Sequence, residues 1–247
     1  MRRSMLLLFL AFAGVILASC DTKQPKNNGN QRSPARADGI PDGASESARI
    51  AGVNLDNFNN CPMEGNAIPA RVKELNLLKN RYHAPADGEI NRSITLGDLL
   101  RTGDDRERWS TGGAVEITGY VYDVKPGGVE TCNCKTKDID KRDIHIELIA
   151  DPMNDGATKR LVVEITPRWR HLMAQEGVDW TTRAVRDAYL GRWVKVRGWL
   201  FFDGEHDDEA ENTNPGRPRN WRGTAWEVHP VTGMEVTVRP ARKKNPA

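Results

Sequence analysis

Acidic and imidazole side chains alternate with aliphatic residues in the segment 142–149. Asp143, His145 and Glu147 occupy every second position, and isoleucine or leucine follows each of them. Successive side chains of a β-strand point to opposite faces, so the three polar groups would lie in a row on one face. Two carboxylates and an imidazole can bind a ligand, hold a divalent cation or move a proton. We therefore expect a ligand-binding surface that includes Asp143, His145 and Glu147.

More carboxylate and imidazole groups follow later in the chain, at Glu164, His206, Glu227 and His229. Imidazole suits zinc, whereas carboxylates suit magnesium, calcium or manganese. This set predicts a divalent metal site drawn from His145, Glu164, His206 and His229. A bound metal would activate a water molecule, with Glu164 or Glu227 as the general base.

The alternative interpretation is purely structural. The chain contains 36 lysines and arginines, enough to pair with each of these carboxylates, and the histidines would then be hydrogen-bonded structural groups. The spacing matches no metal signature such as His-Glu-x-x-His. Walker loops, Gly-x-Gly-x-x-Gly motifs and Gly-x-Ser-x-Gly elbows are also absent from the sequence, which argues against a nucleotide enzyme or a serine hydrolase.

Five segments with a two-residue hydrophobic period must position these groups. The expected strands are 114–124, 142–149, 160–166, 192–202 and 224–238. Thr166-Pro167 begins a helix between the third and fourth strands. This order resembles the OB-fold, a small Greek-key barrel, over residues 113–238. The resemblance implies a mainly β protein with short helices, whose ligands bind a wall framed by the loops after the first and fourth strands.

Residues 50–112 predict a small helical segment that precedes the barrel and packs on it. Pro69 would begin a helix that ends near Tyr82, with an apolar stripe at Val72, Leu75, Leu78 and Tyr82. Thr95 and Asp98 have the spacing of a capping box at the start of a second, short helix. After the barrel, residues 239–247 form a basic tail.

The amino terminus has the pattern of an export signal. A basic start is followed by an apolar run too short to span a bilayer, which ends in Leu17-Ala18-Ser19-Cys20. This motif resembles the lipobox of bacterial lipoproteins. The resemblance implies a signal peptide at 1–19, acyl chains such as palmitate on Cys20, and a membrane-anchored protein that faces the periplasm of the cell envelope. The polar segment 20–49 would be a flexible tether, and Asp21 favours the inner membrane where the enterobacterial sorting rule applies.

The cysteines that remain are then odd in number. With Cys20 lipidated, Cys61, Cys132 and Cys134 would lie in an oxidising compartment. One disulfide and one free thiol is the simplest arrangement, and Cys61 could pair with Cys132 or with Cys134. Either bridge would join the helical segment to the barrel.

Tryptophans on the predicted fourth strand offer another candidate surface. Trp193 and Trp199 share a face with Lys195 and Arg197, an arrangement that holds a sugar or single-stranded nucleic acid by stacking and charge. The favoured interpretation is that the preceding segment covers these rings and Trp226, because tryptophan is mostly buried. A formal net charge of only +2 gives no support for nucleic acid.

Together these patterns predict an envelope lipoprotein whose barrel is a binding or interaction module. Its partner would be another envelope protein, a glycan or a small ligand, with Trp199 and Arg197 as further candidate ligand-binding residues. The alternative is a metal-dependent hydrolase that acts on phosphodiesters, including nucleic acid, through the histidine and glutamate cluster. Binding of nucleic acid by stacking alone is the least favoured prediction.

Overall fold

A computed structural model of the chain describes residues 49–50 and 52–241. The strands in this part are β1 (Arg49–Ile50), β2 (Val53–Asn54), β3 (Asn57–Phe58), β4 (Cys61–Pro62), β5 (Ile90–Asn91), β6 (Ala114–Pro126), β7 (Ile144–Ile149), β8 (Arg160–Ile165), β9 (Trp193–Phe202) and β10 (Trp226–Val236). Its α-helices are α1 (Ala70–Lys79), α2 (Leu96–Leu99), α3 (Pro167–Gln175) and α4 (Thr182–Tyr189).

Strands β6 to β10 close into a five-stranded barrel. β6 pairs antiparallel with β7 and β9, β7 pairs antiparallel with β8, and β9 pairs antiparallel with β10. The parallel pairing of β8 with β10 completes the ring. With α3 and α4 between the third and fourth barrel strands, this is the order of an OB-like barrel, and the predicted fold class is confirmed. β5 adds a short parallel pairing to β6.

Alternate residues of each barrel strand fill the interior. The inward side chains are fully buried or nearly so: Val115, Ile117, Val121, Ile144, Ile146, Leu148, Leu161, Val163, Ile165, Val194, Val196, Leu200 and Val228. Each buried aliphatic side chain of this size stabilises the fold by roughly 1.5–3 kcal/mol relative to an exposed one. The two-residue period therefore predicted the interior of the barrel correctly, and it sends the intervening polar residues to the outer wall.

The last strand is irregular near its middle. The register of β10 against β9 shifts between Val228 and Val231 and again between Val231 and Gly233, and the His229–Pro230 peptide bond is cis. Proline has no N–H for the ladder, which accounts for a break at this point. A Cβ atom on Gly198 would lie only 2.3 Å from the carbonyl oxygen of Pro230, so the close approach of the two strands requires glycine.

Threonines cap three of the helices as expected. Thr95 and Asp98 form a reciprocal capping box at the start of α2. Thr166 accepts a hydrogen bond from the Trp169 amide at the start of α3, and Thr181 caps α4 in the same way. These caps satisfy amide groups that the first helical turn leaves without partners.

The segment before the barrel differs from its prediction. Helix α1 ends at Lys79, and its buried residues are Val72, Asn76 and Lys79, whereas Leu75 and Leu78 are only half-buried. The apolar stripe was wrong because α1 packs against a polar part of the molecule. The two short hairpins, β1–β2 and β3–β4, were not predicted, since two-residue strands have no detectable period.

Several predictions lie outside the described residues. They are the signal peptide at 1–19, the lipidation site Cys20, the sorting residue Asp21, the tether as far as residue 48 and the basic tail from residue 242. Within the part that the structure describes, none of the helices has the length and apolar character needed to cross a bilayer.

Candidate functional site

A polar cleft of about 270 Å³ opens on the outer wall of the barrel. The loop after β6 and the loop after β9 frame it, as the resemblance to the OB-fold predicted. Its lining residues are Lys125, Pro126, Gly127, Gly128, Glu130, His145, Glu164, Asp203, His206, Trp221, Arg222 and Glu227. A Cβ atom on Gly127 would lie 3.0 Å from the carbonyl oxygen of Asp143, so glycine lets this loop lie close against the wall.

Strand pairing brings the predicted polar residues together on this wall. His145 on β7 is the direct partner of Glu164 on β8, and its Nδ1 lies 2.9 Å from Glu164 Oε1. His229 on β10 places Nδ1 3.2 Å from Glu164 Oε2 and 3.4 Å from Glu227 Oε2. Polar groups from three strands thus converge on this wall, and they are buried there: His145 is only 8% exposed.

Asp143, Glu164 and His229 form the group best placed to hold a metal ion. Each offers a ligand atom, and these atoms all lie within 4.8 Å of one another. The three residues are only 1–3% exposed. Within the described residues, Asp143 Oδ1, Glu164 Oε2 and His229 Nε2 are buried and make no hydrogen bond of acceptable geometry, although Glu164 Oε2 lies 3.2 Å from His229 Nδ1. Buried polar atoms usually have a partner, so these atoms indicate a site for something that binds between them.

A second group within the same distance limit is Glu130, Cys132 and Asp143. The ammonium group of Lys79 lies 2.9 Å from Glu130 Oε2 and 3.1 Å from Asp203 Oδ2, so a cation already neutralises this side of the cluster. Burial and the charges of Glu130 and Asp143 raise the pKa of the Cys132 thiol well above its ordinary value. Because its thiol is neutral and an ammonium group lies beside it, this second group is less suited to a metal ion than Asp143, Glu164 and His229.

Burial and the local charges shift the pKa values of Asp143, His229 and the neighbouring Glu227. Burial raises the pKa of Asp143 to about 6, although the neighbouring His229 opposes the rise. Burial alone would lower the pKa of His229, but the hydrogen bond to Glu227 and the charges of Glu164 and Asp143 raise it to about 8. The buried Arg222 guanidinium, 2.7 Å from Glu227 Oε1, keeps the pKa of Glu227 low in spite of its burial.

Glu147 has a different role from the one predicted. It is buried and forms ion pairs with Lys125 and with Arg160, whose Nη1 lies 2.9 Å from Oε2. Burial would raise the pKa of Glu147, but His145 and Lys125 lower it to about 2. Burial would lower the pKa of His145, but the neighbouring carboxylates of Glu147, 3.5 Å from its Nε2, and of Glu164 raise it to about 9. Glu147 thus lies beside His145 and is not among the residues that line the cleft.

His206 lies in the cleft but outside both candidate metal groups of the described residues. Its Nδ1 bonds to Asp203 Oδ2 at 3.0 Å, and this bond raises the pKa of His206 to about 9. The predicted metal set of His145, Glu164, His206 and His229 is thus reduced to Glu164 and His229, and Asp143 takes the third position. His145 and His206 line the cleft as neighbouring cationic groups.

The structure separates Trp199 and Arg197 from this cleft. Trp199 is 9% exposed, its Nε1 donates to the carbonyl oxygen of His83, and Arg81 lies over its ring. Arg197 pairs with Glu116 at 2.6 Å. The segment before the barrel covers Trp199, as the favoured interpretation had it. Trp226 is in the core, whereas Trp193 is half-buried against Tyr120.

The disulfide joins Cys61 to Cys134, one of the two predicted alternatives, with an S–S distance of 2.05 Å. Cys132 is free and buried. Its sulfur lies 3.7 Å from Asp143 Oδ2, so the bridge places the loop that carries Glu130 and Cys132 directly beside the candidate metal group.

No protein-family model matches the sequence, and no curated protein matches it either. Among solved structures, the asparaginyl-tRNA synthetase of Entamoeba histolytica is similar at 14% sequence identity, with a TM-score of 0.26. The similarity covers 54% of this chain and 22% of the synthetase. The assignment of the barrel rests on the strand pairing described above.

Sequence reasoning missed several residues of the cleft. Asp203, Trp221 and Arg222 lie in a loop without periodicity, and Lys79, which pairs with Glu130 and Asp203 of the cleft, is outside the apolar stripe predicted for its helix. Because this loop follows the fourth strand, the sequence predicted that it frames the binding wall. It did not predict which side chains of the loop line the cleft.

Proposed function

We propose that the chain is a lipid-anchored protein of the bacterial envelope whose barrel is a metal-dependent ligand-binding module. The cleft is the ligand site, and one divalent cation binds Asp143, Glu164 and His229, of which Glu164 lines the cleft. The lipobox supports the anchor, and the geometry of these three side chains supports the metal.

One observation carries the proposal: Asp143 and Glu164 are buried carboxylates whose ion-pair partners, within the described residues, are histidines alone. The other carboxylates of this wall each have a lysine or arginine partner. Glu130 and Asp203 pair with Lys79. Glu147 pairs with Lys125 and Arg160, and Glu227 pairs with Arg222. Buried charge is unfavourable unless it is compensated, and a divalent cation between Asp143 and Glu164 would add to the compensation that the histidines give.

The ligand set suggests which ions to test. Two carboxylates and one imidazole are hard and borderline ligands, which suit zinc and manganese better than softer metals. Three protein ligands leave coordination positions open for water or for a bound molecule, as in catalytic and ligand-binding metal sites. His145 and Glu227 surround the group and would orient what binds there.

Calorimetric titration of the full chain with Zn²⁺ or Mn²⁺, after treatment with a chelator, tests the proposal. We expect one high-affinity equivalent, and we expect Glu164→Gln and His229→Gln to weaken binding at least tenfold. His206→Gln, in the same cleft but outside the ligand set, is the matched control. Folding of each variant is checked by near-ultraviolet circular dichroism. Failure of the wild-type chain to bind either ion, or equal binding by the folded ligand variants, would overturn the proposal.

A metal-dependent hydrolase is the second candidate function. Since Glu164 belongs to the ligand set, Glu227 would be the general base, and a divalent metal held by Asp143, Glu164 and His229 would supply an activated water as the nucleophile. The observation in its favour is that Glu227 Oε2 lies 3.4 Å from His229 Nδ1, beside the metal group. Hydrolysis of bis(p-nitrophenyl) phosphate by the metal-loaded chain, lost in Glu227→Gln with metal binding retained, would support it. A metal-loaded chain without activity on such esters would leave binding as the function.

The anchor has its own test. In bacteria fed labelled palmitate, we expect label in the wild-type chain and none in Cys20→Ser. Cys132→Ser is the matched control, because it changes a cysteine that the lipobox does not include. Label that persists in Cys20→Ser, or a wild-type chain recovered entirely in the soluble fraction, would contradict lipidation at this residue.

A further inference from the structure

We infer that the ligand of the cleft is a small phosphate ester, with its phosphate held by Arg222, His206 and Lys125 and its organic part placed on Trp221. The inference deepens the proposed function, because it names the ligand class of the same cleft. Lys125 lies at the end of β6, the other three residues lie in the loop after β9, and all four line the cleft.

Arg222 provides the main observation. The residue is 1% exposed; its Nη1 pairs with Glu227 at 2.7 Å, and its Nε donates to the carbonyl oxygen of Thr224 at 2.7 Å. Its Nη2 is buried and has no hydrogen-bond partner. Two bonds therefore fix the plane of the guanidinium and leave one nitrogen for a ligand. A fixed guanidinium at the side of a cleft is well suited to the oxygen atoms of a phosphate.

His206 and Lys125 add positive charge to the lining of the cleft. His206 uses Nδ1 to bond Asp203, which leaves Nε2 for a ligand. Lys125 pairs with Glu147 and Asp123, and its ammonium group has three donors. Both side chains line the cleft and are partly exposed, so both can reach an entering anion. A divalent cation held by Glu164 and its neighbours would add to this positive charge.

Trp221 supplies an apolar surface beside these charges. Its ring is half-buried in the cleft wall, 5.6 Å from the His145 ring, and its Nε1 donates to Glu209 at 2.6 Å. The Arg222 guanidinium lies 5.2 Å from its centroid. The ring is thus held in one orientation, as a stacking surface for a planar or sugar group requires. A cleft of about 270 Å³ suits a small ester better than a polymer.

The test compares two probes, inorganic phosphate and phenyl phosphate, by calorimetry on the full chain with and without bound Mn²⁺. We expect phenyl phosphate to bind more tightly than phosphate, and both to bind more tightly when the metal is present. The double variant Lys125→Gln/His206→Gln should raise both dissociation constants at least tenfold. Trp221→Leu should remove the advantage of phenyl phosphate and leave phosphate unchanged. Lys195→Gln, on another strand and away from the cleft, is the control.

The outcomes separate this inference from the proposed function. Normal Mn²⁺ binding by the wild-type chain with no binding of either probe would overturn the inference and leave the metal site standing. Probe binding that the double variant weakens would support the inference even if the chain bound no metal. Equal probe binding by the wild type and the double variant would overturn it. If Arg222→Lys remains folded, it should also raise the dissociation constant for phosphate, as the double variant does.

Discussion

Two buried carboxylates without a lysine or arginine partner set the chemistry of this wall. Asp143 and Glu164 lie among aliphatic strands, and their ion-pair partners in the described structure are histidines. A site of this kind is expected to lower the free energy of unfolding of the metal-free protein. A bound cation should restore it. The stability of single variants therefore reports directly on function.

Asp143→Asn is expected to stabilise the metal-free chain. Burial raises the pKa of Asp143 to about 6, above its value of about 3.9 in the unfolded chain, so the ionised carboxylate opposes folding above that range. The amide removes this charge, and we expect a gain on the order of 1–2 kcal/mol in the free energy of unfolding near pH 8, which disappears near pH 4. Urea titrations with chelator present measure the gain.

The same variant should lose the stabilisation that Zn²⁺ or Mn²⁺ gives to the wild type. Glu235→Gln, an exposed carboxylate on the barrel, should show neither effect. An Asp143→Asn protein that is less stable than the wild type without metal would contradict this account of the carboxylate.

The His206–Asp203 pair should stabilise the protein at low pH, whereas the effect of Asp143 on stability appears at high pH. Asp203 raises the pKa of His206 to about 9, above about 6.5 in the unfolded chain. The stabilising effect of this pair is therefore complete below about pH 6.5 and is lost as the pH rises through about 9. The difference in unfolding free energy between the wild type and His206→Asn should shrink between about pH 6 and about pH 10. A difference that stays constant would show that the imidazole acts through packing.

At the scale of elements, helix α1 contributes a cation to the wall of the barrel. Lys79 is buried and pairs with Glu130 and Asp203, so it neutralises two carboxylates that come from different loops. The attraction of these carboxylates raises the pKa of Lys79 in spite of its burial. The helix thus positions the loops that frame the cleft.

Lys79→Met should destabilise the protein by roughly 3–5 kcal/mol, because it leaves two buried carboxylates without their cation. Lys73→Met, on the exposed face of the same helix, should change stability by less than about 0.5 kcal/mol. Denaturant unfolding of the two variants beside the wild type measures both values. Similar losses in the two variants would mean that the buried ion pairs contribute little.

The sequence predicted the strands of the barrel far better than the segment before it. Alternation of aliphatic and polar residues in 142–149 and 160–166 determines which face fills the barrel, and strand order then brings His145 beside Glu164. No comparable period exists in the loop that carries Asp203 and Arg222. Their side chains take positions fixed by tertiary contacts, such as the Lys79 ion pairs, which local patterns do not encode.

At the scale of the whole molecule, the disulfide joins the segment before the barrel to the loop beside the metal group. Cys61 and Cys134 are 73 residues apart, and closing a loop of this length is expected to stabilise the fold by roughly 4 kcal/mol. The sequence left Cys132 and Cys134 as alternatives because one residue separates them. The left-handed conformation of Cys134, with φ of 52°, belongs to the turn that presents its sulfur to Cys61.

Reduction should therefore lower the melting temperature of the wild type. The double variant Cys61→Ala/Cys134→Ala should melt at a similarly reduced temperature, and reductant should change it no further. Calorimetry with and without dithiothreitol measures all four states. Equal melting temperatures for the oxidised wild type and the double variant would show that the bridge is dispensable for the fold.

The central claim is that one divalent cation binds between Asp143, Glu164 and His229. Anomalous scattering from a crystal of the protein grown with Mn²⁺ or Zn²⁺ tests it most directly. The account predicts one strong anomalous peak, about 2.0–2.2 Å from oxygen atoms of Asp143 and Glu164 and from a nitrogen of His229. A fully occupied peak elsewhere, or no peak in this group at saturating metal, would contradict it.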